Sequence, residues 1–129
     1  MKTILVDAWN TFVTPEGINK KLLSILEVFP NRKIILTNAN EEEKIQYGIV
    51  NMPYEVFTCA HDPNKTNPEF YKKMLTYFNL KADDVVYFEH NTEAVASAKS
   101  LGIITFWYDK NKRDIEGVRT FLENNIFTV

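Results

Sequence analysis

Apolar positions along this chain come in two alternating patterns: short unbroken runs, and longer stretches where they recur at helical spacing. Lys2 to Val6 is an unbroken run and predicts a buried strand. Pro15 and Glu16 look like a helix start, with Ile18, Leu22, Ile25, Leu26 and Phe29 following on one face. Pro30 and Asn31 stop that helix, and Lys33 to Leu36 forms a second apolar run closed by Thr37 and Asn38. Asn40 is placed to cap a helix through Glu41, Glu42 and Glu43, because acids suit the positive end of a helix dipole. Gly48 and Pro53 break it, and Glu55 to Cys59 predicts a third strand. Asn67 and Pro68 open a helix carrying Phe70, Met74, Leu75 and Phe78 inward. Asp84 to Phe88 predicts a fourth strand. Asn91 to Leu101 predicts a helix with Val95, Ala98 and Leu101 inward, ended by Gly102. Ile103 to Tyr108 predicts a fifth strand, and Ile115, Val118 and Leu122 mark a last helix. Five strands separated by helices predict an α/β fold, a parallel sheet with helices on both faces.

Composition narrows the function classes. The 129 residues suffice for one domain with one sizeable core, spanning 1–129. A formal net charge of −2 makes no electrostatic case for nucleic acid or a membrane surface. The basic residues Lys110, Lys112 and Arg113 form only a short run, read as a solvated loop. The single Cys59 excludes an intramolecular disulfide and suits a reducing cytoplasm. Asp7 interrupts the N-terminal apolar run too early for a signal peptide, and no stretch approaches the roughly 20 apolar residues of a membrane span. A cytoplasmic location is the expectation.

In a parallel α/β sheet, ligands bind beyond the carboxyl ends of the strands. Those ends carry Asp7, Trp9 and Thr11 after the first strand, and Thr37 and Asn38 after the second. Lys65 precedes the third long helix, and Glu89, His90 and Asn91 follow the fourth strand. A carboxylate can attack phosphorus, or a carbon bearing a leaving group, to give a covalent intermediate. A hydroxyl can bind the transferring group's oxygens, and an ammonium offsets the crowded negative charge. An acid after the fourth strand can help hold a divalent cation through oxygen.

With these residues in order, the sequence resembles the haloacid dehalogenase superfamily of aspartyl-nucleophile hydrolases over almost its whole length. "ILVDAWNTFVT" is similar to the first family motif, with Asp7 as nucleophile and Thr11 beside it. "IILTNAN" resembles the second, with Thr37. "NKTNPEFYKKM" resembles the third, with Lys65, and "VVYFEHNTEAVASAKSLGI" the fourth. The resemblance implies a three-layer α/β/α Rossmann-like core with strand order 5-4-1-2-3. It implies Asp7, Thr37 and Lys65 in catalysis, Thr11 and Asn38 in substrate binding, and a small phosphorylated substrate or an exposed phosphate on a larger molecule. The stretches from Thr11 to Arg32 and from Asn38 to Lys65 are too short for the family's cap domain, so the expectation is a bare, capless core.

Two departures bear on function. Phosphatases of the superfamily carry a second aspartate two residues after the nucleophile, to protonate the leaving alcohol. Here Trp9 stands there, and indole N–H does not titrate usefully. The fourth motif's metal-binding aspartate falls on His90, with Glu89 just before it, and imidazole is a poor ligand for Mg²⁺. The implied magnesium site, made of Asp7, the Trp9 carbonyl and Glu89, is thereby weakened. A softer divalent metal that also uses His90, or no metal, are the alternatives. The expected activity is a slow phosphatase lacking the usual general acid. The alternatives are a binding or scaffold protein that keeps the fold without the reaction, and a metal-free dehalogenase-like hydrolase. Trp9 itself reads as packing beside the strand tip, Trp107 and Tyr108 as half-buried packing, and His61 as a solvent-exposed loop residue.

Overall fold

The computed structural model describes residues 1–126. Its strands and helices alternate: β1 (Thr3–Asp7), β2 (Val13–Thr14), β3 (Gly17–Ile18), α1 (Lys20–Val28), β4 (Lys33–Thr37), α2 (Glu41–Gln46), β5 (Glu55–Thr58), α3 (Pro68–Tyr77), β6 (Val85–Glu89), α4 (Thr92–Ser100), β7 (Ile104–Trp107) and α5 (Ile115–Asn125). The main sheet runs β5-β4-β1-β6-β7, and every pairing in it is parallel. Counting those five strands alone, this is the expected order 5-4-1-2-3 read from the opposite edge.

Strand alternation divides the core into two layers. Ile4 and Val6 of β1, with Ile35, Val86 and Phe88, pack against Leu22, Ile25 and Leu26 of α1 and Val118 and Leu122 of α5. Leu5, Ile34, Leu36, Val85 and Tyr87 face the other way, onto Phe70, Tyr71 and Met74 of α3 and Ala98 of α4. β1 is buried along its whole length, as a central parallel strand covered on both faces must be.

The structure corrects the expected elements in a few places. Pro15 and Glu16 do not start a helix. Residues 13–18 form a two-stranded antiparallel hairpin instead, with Val13 paired to Ile18 and Thr14 to Gly17. Gly17 adopts φ 106°, a turn conformation that costs a glycine little. The helix begins only at Lys20, where the Asn19 side chain accepts from the Leu22 N–H. Asp84 belongs to a 3₁₀ turn, Ala82–Asp84, and β6 starts at Val85. Among the described residues no inserted cap interrupts the core: between β1 and β4 there are only this hairpin and α1. Among the described residues, no helix is long and apolar enough to cross a membrane.

Candidate active site

Asp7 is the last residue of the central strand, and Glu89 is the last residue of its neighbour β6. Val6 pairs with Phe88, so the two carboxylates follow side by side on the α3 face of the sheet. Both are buried. The loop before α3 brings Lys65 between them. Its Nζ donates to Asp7 Oδ1 at 2.7 Å and to Glu89 Oε1 at 2.7 Å. That loop is held at two points. The Lys65 N–H donates to Asn38 Oδ1 at 2.7 Å, and Ser97 Oγ of α4 donates to the Thr66 carbonyl at 2.6 Å.

The other oxygen of Asp7 is crowded with donors. Oδ2 accepts from Thr11 Oγ1 at 2.6 Å, from the His90 N–H at 3.2 Å, and from His90 Nδ1 at 2.5 Å. His90 Nδ1 also lies 3.3 Å from Glu89 Oε2. Glu89 is equally engaged. Oε1 accepts from Lys65 and from the Tyr87 hydroxyl, and Oε2 accepts from the Asn91 N–H at 3.0 Å. Tyr71 extends this network, its hydroxyl 3.3 Å from that of Tyr87.

The electrostatics follow from burial and charge. Burial works to raise the Asp7 pKa, but the Lys65 ammonium and the His90 hydrogen bond outweigh it and hold this carboxyl well below the usual range. Glu89 goes the other way: burial and the Asp7 charge push it up to about 7, with Lys65 offsetting only part. Burial disfavours the Lys65 charge, yet the flanking carboxylates raise its pKa above that of an ordinary lysine. His90 is raised too, since its bond to Asp7 overcomes the desolvation that opposes it. The quartet thus has one firmly ionised acid, one acid titrating near neutrality, a lysine held charged, and a histidine whose protonation the neighbouring acids favour.

Above the quartet opens a cleft of about 250 Å³. Thr37 and Asn38 line it, though both side chains also shape the loops: Thr37 Oγ1 accepts from the Ala39 N–H at 3.1 Å, and Asn38 Nδ2 donates to Asn64 Oδ1 at 3.2 Å. Trp9 is a wall residue, its ring 4.6 Å from that of Tyr47, which with Ile49 makes one side of the cleft aromatic and apolar. Thr11 lies beneath, fully buried against Asp7. Trp107 is half exposed and donates from Nε1 to the His90 carbonyl at 2.8 Å, which fixes the backbone at that turn. Tyr108 is fully buried rather than half-buried, in the core beneath the sheet edge.

His61 is an exposed loop residue, as the sequence suggests, and the structure adds where it points. Its side chain is exposed but lines the cleft, with Nε2 2.7 Å from Glu43 Oε1 and Nδ1 3.3 Å from Asn64 Nδ2. Ala60 and His61 both hold positive φ, 52° and 69°, unusual for residues other than glycine and a form of strain that collects at functional loops. The signal available in the sequence was Glu43 at the third position of a capped helix. That position fixes its side chain by a reciprocal capping box with Asn40, so it can receive His61.

Asp7, Glu89 and His90 offer ligand atoms within 4.8 Å of one another. In the arrangement observed, however, these residues do not fit the implied magnesium site. Ligands sharing a metal at bond lengths of about 2.0–2.2 Å sit roughly 3 Å apart, whereas Nδ1 and Oδ2 are at hydrogen-bonding distance, 2.5 Å. Mg²⁺ also favours an all-oxygen octahedron, and the Asp7 and Glu89 carboxylate oxygens already accept from Thr11, Lys65, Tyr87, His90 and Asn91.

No protein-family model and no curated protein matches the sequence. Solved structures do match. An uncharacterized protein from Corynebacterium glutamicum aligns over 95% of this chain and 96% of its own, with TM-score 0.62 and 15% identity. A haloacid dehalogenase-like protein of unknown function from Agrobacterium tumefaciens aligns over 70% of this chain and 44% of its own, with TM-score 0.57 and 15% identity. The cobalt-bound form of a deoxy-D-mannose-octulosonate 8-phosphate phosphatase from Haemophilus influenzae aligns over 100% of this chain and 94% of its own, with TM-score 0.55 and 12% identity.

Proposed function

On the haloacid dehalogenase-like fold that this chain adopts, we propose a slow hydrolase of phosphate monoesters with Asp7 as its nucleophile. The observation that carries it is Asp7 itself: a buried carboxylate at the floor of an open cleft, ionised by an ammonium 2.7 Å away. Oδ1 is the attacking oxygen, because Oδ2 already accepts from three donors. Oδ1 forms a bond to phosphorus while the ester P–O bond breaks, and the leaving oxygen takes up a proton. Water then attacks phosphorus, releasing inorganic phosphate and restoring the carboxylate. Lys65 stabilises the charge that accumulates between nucleophile and phosphoryl oxygens, and Thr37 and Asn38 hold those oxygens. Support also comes from the structural neighbour from Haemophilus influenzae, a deoxy-D-mannose-octulosonate 8-phosphate phosphatase.

Trp9 sets the limits on the substrate. Without a second aspartate, a poor leaving group departs without general-acid protonation, which forfeits about 10²–10⁴-fold in rate. The Trp9–Tyr47 wall suits an aryl leaving group, which departs without help. His61, backed by Glu43, is the ionisable donor of the cleft wall that can take the acid's part. Because no cap closes the cleft, the phosphate can belong to a small molecule or project from a larger one.

Hydrolysis of 4-nitrophenyl phosphate tests this function. Wild type is expected to turn over slowly, Asp7→Asn to fall to background, and Trp9→Asp to gain rate. Wild type and Asp7→Asn hydrolysing equally little rules the activity out for aryl esters. The saturated Oδ2 and the indole at position 9 favour one other reading, a phosphate-binding module without turnover. It predicts binding of an aryl phosphonate with no hydrolysis.

A further inference from the structure

We propose that the His90 imidazole stands in for the divalent cation of this fold, bridging Asp7 and Glu89 so that the site works without metal. The inference rests on the hydrolase reading for its use, though not for its geometry.

The two carboxylates are joined on both sides. On one side Lys65 Nζ spans Asp7 Oδ1 and Glu89 Oε1, at 2.7 Å each. On the other, His90 Nδ1 lies 2.5 Å from Asp7 Oδ2 and 3.3 Å from Glu89 Oε2. Lys65 and His90 thus close a ring with the two acids, and Nδ1 takes up the space between Asp7 Oδ2 and Glu89 Oε2. Asp7 Oδ2 belongs to an ionised carboxylate and only accepts, so Nδ1 at 2.5 Å from it carries the hydrogen. A donor nitrogen cannot at the same time ligate a metal. For a cation to enter, Nδ1 would have to lose that hydrogen and leave Oδ2, or swing away and abandon both acids.

The ring is held where it is. The His90 N–H is tied to Asp7 Oδ2 at 3.2 Å, its carbonyl accepts from Trp107 Nε1 at 2.8 Å, and the next N–H, of Asn91, is tied to Glu89 Oε2 at 3.0 Å. These bonds leave little freedom at residues 90 and 91. An imidazole supplies less charge than a divalent ion and brings no coordinated water. The phosphoryl group is then bound by Lys65 and the loop donors, in keeping with a slow enzyme whose substrates leave easily.

Isothermal titration calorimetry of the full chain with MgCl₂ and MnCl₂ tests this directly and needs no turnover. Wild type is expected to show no binding at millimolar metal. His90→Asp, which puts an oxygen ligand on the same turn, is expected to bind Mg²⁺ at least about tenfold tighter than wild type. Long-range ¹H–¹⁵N NMR on wild type gives a second readout: a protonated Nδ1 at His90, unmoved by added Mg²⁺. Metal binding by wild type with displacement of the His90 signals overturns the proposal, as does a folded His90→Asp with no gain. Activity separates the two claims. Turnover that requires Mg²⁺ removes the imidazole stand-in and leaves the hydrolase. Absent turnover with absent metal binding removes the hydrolase and leaves the stand-in.

Discussion

Lys65 is the charge that ties the site's two buried acids together. It is buried, and it is the one ammonium between two carboxylates that are themselves buried. Removing one partner from a buried charge cluster leaves the others unpaired in a medium that solvates them poorly. We therefore expect Lys65→Met to lose about 3–5 kcal/mol of stability at neutral pH. The loss should shrink in acid. Glu89 already titrates at about 7 against an ordinary 4.5, and without Lys65 it moves higher. A carboxyl with a raised folded pKa binds more protons folded than unfolded, so its contribution is present below the unfolded pKa and is lost as pH rises through the folded one. Urea unfolding at pH 5.5 and 8 should show Lys65→Met closer to wild type at the lower pH. Asp7→Asn in the same background should recover part of the loss, since it removes one of the two unpaired charges. Equal penalties at both pH values would mean that Lys65 acts through packing alone.

At the scale of elements, the turns after β1, β4 and β6 hold the site in place, and these turns depend on caps. Asn91 is the clearest case. Its side chain accepts from the Glu93 N–H at 2.9 Å and the Ala94 N–H at 3.0 Å, opening α4, while its own N–H anchors Glu89. Asn91→Ala leaves both α4 donors unpaired and should cost about 1 kcal/mol in thermal or chemical unfolding. A neutral result would show that water replaces the cap. The five strands and the α3, α4 and α5 helices were legible because each rests on local periodicity or an adjacent cap, such as Asn67–Pro68 or Asn91. The 13–18 hairpin was not, because Pro15–Glu16 has the form of a helix start and only the φ of Gly17 tells a turn from it. The site was half legible. That Asp7, Lys65 and Glu89 stand at strand ends and loops follows from chain order. Which atoms meet does not: the His90–Asp7 contact spans 83 residues and the His61–Glu43 contact 18, and no local pattern encodes either.

For the molecule as a whole, the parallel sheet gathers every strand end onto one edge, and nothing in the chain's described residues is inserted there to cover it. The cleft is therefore shaped by short loops and by α2, a helix with no buried residue of its own. An open site of this kind limits water exclusion and so limits rate, while admitting substrates that a cap would refuse. If Asp7 is the nucleophile, it becomes covalently phosphorylated during turnover. The direct measurement is to mix the protein with 4-nitrophenyl phosphate, quench, reduce with borohydride and sequence the peptide covering residues 3–20 by mass spectrometry. An aspartyl phosphate is reduced to homoserine, and homoserine is expected at position 7, absent without substrate. Steady hydrolysis with an unmodified Asp7, or reduction at another carboxylate, would contradict it.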